Sequence, residues 1–215
     1  VKLISGVVFA ACLFAQDKGT ALGEHVAAAL RQDTTPADTE SAAYVRRVAL
    51  RVAPAGLQVE IELRIGAIGG SPVEPVWVPG HVFVPARLLI LAKSEAELAG
   101  ALAHAMAYST ERGNGPIPVV GGNKLDPATN MRADRRAIAQ MAAVGYDPRA
   151  LLDFLGRKAP LGRERVAAME EALAAIPPSA AWIENTSDFI RAQERARLAL
   201  LPKPPARPSL FRNDR

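Results

Sequence analysis

The chain has 215 residues, of which 49% are hydrophobic but only 5% aromatic. That length supports one domain with a sizeable core, and the dominance of alanine and leucine favours helices. The net charge is +4, with acids and bases interspersed, which is too mild and too scattered to indicate a nucleic-acid partner.

Residues 1–15 read as a secretory signal. Lys2 gives the positive start, Leu3 to Phe14 is almost wholly apolar, and cleavage falls after Ala15. A buried N-terminal helix is the structural alternative. A lipid anchor on Cys12 is another, although Phe9 fits a lipidation signal poorly. The apolar run is too short to span a bilayer comfortably, and no other segment has the length and apolarity of a span. The expectation is an exported bacterial protein, periplasmic or secreted. Cleavage after Ala15 would remove Cys12, the only cysteine, and with it any disulfide.

Residues 16–200 read as a single domain. Two amphipathic helices are predicted over 20–31 and 39–53. Asp38 or Thr39 caps the second, and Tyr44, Val45, Val48 and Val52 form its apolar stripe. Leu57 to Gly66 alternates strictly, with Val59, Ile61, Leu63 and Ile65 on one face, which predicts a half-buried strand. After a Gly/Pro-rich loop, Val76-Trp77-Val78 and His81-Val82-Phe83-Val84 predict two short strands around a Pro79-Gly80 turn.

A short helix follows over Pro85 to Leu91. Ser94 and Glu97 form a capping box that opens the helix carrying His104. Residues 112–125 are a Gly/Pro/Asn-rich loop. Asp126-Pro127 is an N-cap and first-turn pair for the next helix, which Gly145 stops, and Asp147-Pro148 repeats the device. Charged amphipathic helices are predicted over Gly162 to Ile176 and Ser187 to Leu200. Residues 201–215 form a Pro/Arg-rich tail expected to be disordered. Helices, then a small sheet, then helices predict an α+β fold, mainly helical.

The helix from Ser94 to Tyr108 keeps the frame of a zinc-protease helix without its chemistry. An HExxH helix sets two imidazoles four residues apart on one face, with a glutamate after the first to deprotonate the metal-bound water. Here His104 is present, but the base position is Ala105 and the second ligand position is Tyr108.

Several patches in order resemble one family. These are Leu22-Gly23-Glu24, Tyr44-Val45-Arg46-Arg47-Val48, Pro79-Gly80-His81-Val82-Phe83-Val84, Ser94 to Gly100, Arg132-Ala133-Asp134, Ala142 to Pro148 and Thr186-Ser187-Asp188-Phe189. Together they resemble the zinc metallopeptidases that include the CAAX prenyl endopeptidase, HtpX and the periplasmic β-barrel assembly-enhancing protease. The resemblance spans Leu22 to about Leu200. It implies a zincin-like domain and a third ligand four residues before Asp134, where this chain has Asn130. It also implies that Asp134 supports a ligand from behind, and that Gly80, His81, Val82 and Phe83 form the edge strand of a substrate groove.

The surviving donors suit zinc badly. One imidazole cannot replace three protein ligands. Asn130 offers a neutral amide oxygen, which suits harder cations. A tyrosine phenol must lose its proton before it binds as an anion, and Ala105 accepts no proton. Glu97 and Glu111, each seven residues from His104, share its helix face, and a site rebuilt from His104 with His81 and Glu111 is a rescue to weigh against this.

The expected protein is therefore an exported pseudo-peptidase with no cofactor, keeping a groove for a peptide or unfolded protein segment. A role in envelope protein quality control, or as partner of an active peptidase paralogue, would follow by analogy. The alternatives are an active zinc endopeptidase with a non-standard ligand set and a structural envelope protein.

Overall fold

Short-range chemistry starts most of the helices where the sequence places them. The computed structural model describes residues 21–68, 70–112 and 126–201. The signal segment 1–15, nearly all of the 112–125 loop and the tail after residue 201 lie outside the described residues. Helix α1 covers 21–32, and α2 covers Thr39–Arg51, with the Asp38 carboxylate accepting from Ser41 N–H. Helix α3 covers Ala86–Leu91, α4 Glu95–Arg112 and α5 Pro127–Ala143. Helices α6, α7 and α8 cover Arg149–Lys158, Arg163–Ala174 and Ser187–Ala199.

Several ends differ slightly from expectation: α2 stops at Arg51 and α7 at Ala174, each two residues early, and the strand predicted from Leu57 starts at Glu60. Helix α6 begins at Arg149, one residue later than the sequence suggested. Asp147 still serves its N-terminus, accepting from Arg149 N–H at 3.0 Å. At α4, Glu97 N–H donates to Ser94 Oγ at 3.1 Å, but the Glu97 carboxylate reaches past Ser94 to Lys93 N–H at 2.7 Å. The box is shifted by one residue on its return bond.

The strands are β1 (Thr35–Pro36), β2 (Glu60–Ile65), β3 (Val76–Val78) and β4 (His81–Pro85). Their order across the sheet is β1-β2-β4-β3. β1 is antiparallel to β2, β2 is parallel to β4, and β3 is antiparallel to β4. The β3–β4 hairpin turns at Gly80, whose φ of 87° is the left-handed region that glycine enters without strain. The fold is α+β, helical with a small mixed sheet.

The sheet carries different cores on its two faces. Ile61, Leu63, Val82 and Val84 join the main core with α2, α4 and α5. Phe83 and Val78 face the other way and pack with Ala27 and Leu30 of α1 and with Ile68. Gly23 lets α1 lie this close, because a Cβ there would meet Pro79 O at 2.2 Å. β2 is therefore not half-buried with a solvated polar face. Arg64 is buried under α1, donating to Thr34 Oγ1 at 3.0 Å, Thr34 O at 2.8 Å and Arg31 O at 2.9 Å. Alternation identified the apolar face correctly, but the opposite face is covered by a helix with matched polar groups.

Helix α4 is central. Leu98, Ala99, Leu102, Ala103, Met106 and Ala107 are all fully buried. Gly100 sits against Leu151 and Met141, each 3.2 Å from where a Cβ would stand. The glycine costs some helix propensity but lets α5 and α6 close onto α4. That closeness builds the cleft described below.

Candidate functional site

The residues of the predicted site divide between two places. His104, Ala105, Tyr108 and Asn130 meet in one cleft of about 250 Å³. Ala101, His104, Ala105 and Tyr108 reach it from α4, four residues or fewer apart and so on one helix face. Asn130 comes from α5. Val76 and Trp77 on β3 and Phe154 and Leu155 on α6 also line it. Glu74 and Lys158 form an ion pair at the cleft, joining the loop before β3 to the end of α6.

Behind His104 lies Asp134, the carboxylate to which the resemblance gives a supporting role. Asp134 is completely buried, and its Oδ1 lies 3.0 Å from His104 Nδ1. The approach is off the axis of an N–H bond from the ring, so the contact is electrostatic rather than an aligned hydrogen bond. The stronger partner is Arg165 of α7, whose Nε and one terminal nitrogen donate to Asp134 at 2.6 and 2.9 Å. Burial alone would push the Asp134 carboxyl up. Hydrogen bonds from Arg165, and then the His104 ring, outweigh it and hold the carboxyl below its ordinary value.

Arg165 was not identifiable as a site residue from sequence. It is one of two arginines on a charged helix, and nothing local to it points to Asp134. Trp77, Phe154 and Leu155 were missed as cleft walls for a similar reason, since they read simply as core.

The rescue ligands do not come to the cleft. Glu111 is neither free nor solvated: Arg136 contacts it at 2.7 Å and Arg132 at 3.3 Å. Both arginines are on α5, which runs alongside α4. His81 lies elsewhere, buried beneath α1 on the opposite face of the sheet from Val82. Its Nε2 is 2.9 Å from Glu24 Oε1, and its Nδ1 is 3.3 Å from an Arg31 terminal nitrogen. A neutral ring with its proton on Nε2 satisfies both contacts, donating to Glu24 and accepting from Arg31.

The expected substrate edge is also corrected. Gly80, His81, Val82 and Phe83 belong to the hairpin turn and to β4, which is an interior strand flanked by β2 and β3. Parallel pairing of β2 to β4, Ile61 opposite Val82 and Leu63 opposite Val84, fills the side that was expected to be open. Among the described residues, the edge strand beside the cleft is β3.

Zinc chemistry does not fit this donor set. Asp134 is held by Arg165 and Glu111 by two arginines. His81 is absent from the lining, and Glu74, the carboxylate that does line it, is paired with Lys158, which leaves His104 with the neutral side chains of Tyr108 and Asn130. Among the described residues, one other cluster could converge on a cation: Glu60, Glu62 and His81, whose ligand atoms lie within 4.8 Å of one another. A guanidinium already occupies it, with Arg31 at 2.6 Å from Glu62 and 3.8 Å from Glu60.

No family model matches the chain, and no curated protein matches it. No helix among the described residues is long and apolar enough to cross a membrane.

Proposed function

We propose that this chain is a zincin-like pseudo-peptidase, which holds an extended peptide in its cleft without hydrolysing it. The carrying observation is the pairing of β3, which among the described residues has a strand on one side only, with a cleft whose would-be catalytic positions are Ala105, Tyr108 and Asn130. An unpaired strand edge offers backbone donors and acceptors to an extended chain, and that pairing requires no metal. The arrangement of α4, α5 and β3 around the cleft is consistent with the family resemblance: α4 holds the metal-helix positions, and α5 holds the third-ligand position. Without a carboxylate at position 105, even a bound water would lack its general base, typically worth about 10²–10⁴-fold in rate.

The proposed setting is the bacterial envelope, from the signal-like start of the sequence, with an unfolded protein segment or an active paralogue as partner. A three-residue edge and one cleft make a small interface, so affinity for a short peptide should be modest, with Kd on the order of micromolar or weaker. The direct test is elemental analysis of purified protein after dialysis against trace zinc. Zinc well below one ion per chain is expected, together with peptide binding that survives chelator. Stoichiometric zinc with chelator-sensitive cleavage would overturn the reading.

A further inference from the structure

The cleft also carries information about which peptide it takes. This inference rests on the peptide-binding reading above. Ala101 and Ala105 lie one turn apart on α4 and present only methyl groups to the cleft. Trp77, Phe154 and Leu155 line the same cleft. The volume of about 250 Å³ exceeds the roughly 150 Å³ of an apolar cavity that accepts benzene. An aromatic ring with its own backbone attached fits that space.

The charged groups at the cleft are already matched. Lys158 pairs with Glu74, and Arg165 pairs with Asp134. A charged ligand side chain would therefore enter with no free counter-ion, which is unfavourable. Among the described residues, three buried polar atoms of the lining have no hydrogen-bond partner: Trp77 Nε1, His104 Nδ1 and Asn130 Oδ1. The indole nitrogen can only donate and His104 Nδ1 lies 3.0 Å from Asp134, so the acceptor left open is the oxygen of Asn130, a residue 9% exposed. With no bond holding that oxygen, rotation of the amide can turn the acceptor toward a ligand N–H. A peptide amide supplies such a donor, whereas a hydrocarbon chain does not.

We propose that the cleft selects an extended peptide by one large uncharged side chain, aromatic or branched aliphatic. That side chain sits over Ala101 and Ala105, in the space a metal and its general base would otherwise fill. A neighbouring peptide N–H donates to Asn130. Ala105 is thus a specificity-determining residue rather than only a lost base.

The test uses the full chain and three fluorescent octapeptides of one uncharged frame, differing only at a central Phe, Gly or Lys. Fluorescence anisotropy should show the Phe peptide binding about tenfold to a hundredfold tighter than the Gly peptide, with the Lys peptide no better than Gly. Ala105→Leu should erase the Phe preference while leaving the Gly peptide's weaker binding in place. Ala105→Ser, a smaller change confirmed folded by circular dichroism, should reduce the preference without filling the cleft. Asn130→Ala should weaken the Phe and Gly peptides alike. Equal binding of all three peptides by the unmodified protein would overturn the side-chain inference and leave the peptide-binding reading standing. Binding of none would overturn that reading as well. A Phe preference unaffected by Ala105→Leu would place the side chain elsewhere and overturn the inference.

Discussion

Arg165 closes a two-point ion pair on Asp134, across 31 residues of sequence, at 2.6 and 2.9 Å. The carboxylate is wholly buried, and its other neighbour is the His104 ring at 3.0 Å. The histidine that would face a metal in a peptidase is therefore backed here by a charge already neutralised by an arginine. Asp134 ties α5 to α7 and fixes the back of the cleft in one contact.

Removing Arg165 leaves that carboxylate without its guanidinium. Arg165→Met should cost about 3 kcal/mol in urea unfolding, within the range for breaking a buried pair. Asp134→Asn in the same chain should recover part of the loss, because the uncompensated charge is gone. Strict additivity of the two single changes would show that the pair is not coupled.

The same carboxylate predicts an acid sensitivity. Its folded pKa is lowered from the ordinary value of 3.8. The unfolded chain therefore binds the proton more readily, and stability rises with pH across the interval between the two values. The contribution is fully present above about pH 4 and is lost as pH falls through the folded value. Unfolding midpoints measured from pH 6 down to pH 2 should fall more steeply below pH 4 for the unmodified protein than for Asp134→Asn. Parallel curves would count against the assignment.

Glu97 combines a helix cap with an ion pair, and the two can be separated. Its carboxylate accepts from Lys93 N–H and is gripped by Arg157 at 2.6 Å through both terminal nitrogens. Glu97→Gln keeps an acceptor for the cap and loses the charge, whereas Glu97→Ala loses both. The expected losses are about 1–2 and about 2–3 kcal/mol respectively by thermal or urea unfolding. Equal losses would mean that the cap contributes nothing.

Helix α1 is held to the β3–β4 turn by a glycine contact. Gly23→Ala would put a methyl 2.2 Å from Pro79 O, so the helix must lift away. Overpacking of this kind costs about 1–3 kcal/mol. Hydrogen exchange should quicken in α1 and around His81 and Arg64 while α4 keeps its protection. Uniform quickening across the chain would show instead that α1 is part of the global folding unit.

The zincin-like reading has a constructive test. Ala105→Glu, Tyr108→His and Asn130→Glu together would rebuild two imidazoles, a carboxylate ligand and a base on α4 and α5. The triple variant should take up about one zinc per chain and the unmodified protein far less, measured by elemental analysis. Failure of a folded triple variant to bind zinc would mean that these helices do not hold the metal-site geometry.

Features encoded by neighbours in the chain were readable. Asp126 accepts from Thr129 N–H at 2.9 Å, and Thr186 caps α8 one residue before the predicted start. Tyr44, Val45, Val48 and Val52 are buried as their spacing indicated. The convergence of His104, Ala105, Tyr108 and Asn130 was readable too, because a helix puts residues four apart on one face and the family pattern supplied the fourth. His81 was misplaced because a strand's alternation does not say which strands flank it. Glu111 could be offered as a replacement ligand because free and arginine-paired glutamates look alike until the facing helix is known.

The sequence by itself determined where the helices lie, though not their last residues, together with the α+β class and the residue types at positions 105, 108 and 130. These depend on interactions within a turn or two, or on residue identity alone. Only the tertiary structure decided that β3 rather than β4 is the edge strand among the described residues, that α1 covers the polar face of β2, and that Arg165 answers Asp134. With 26 basic and 22 acidic residues available, local sequence cannot choose which pairs form. Burial chooses, because a charge removed from water is tolerated only where the packing brings its counter-charge within reach.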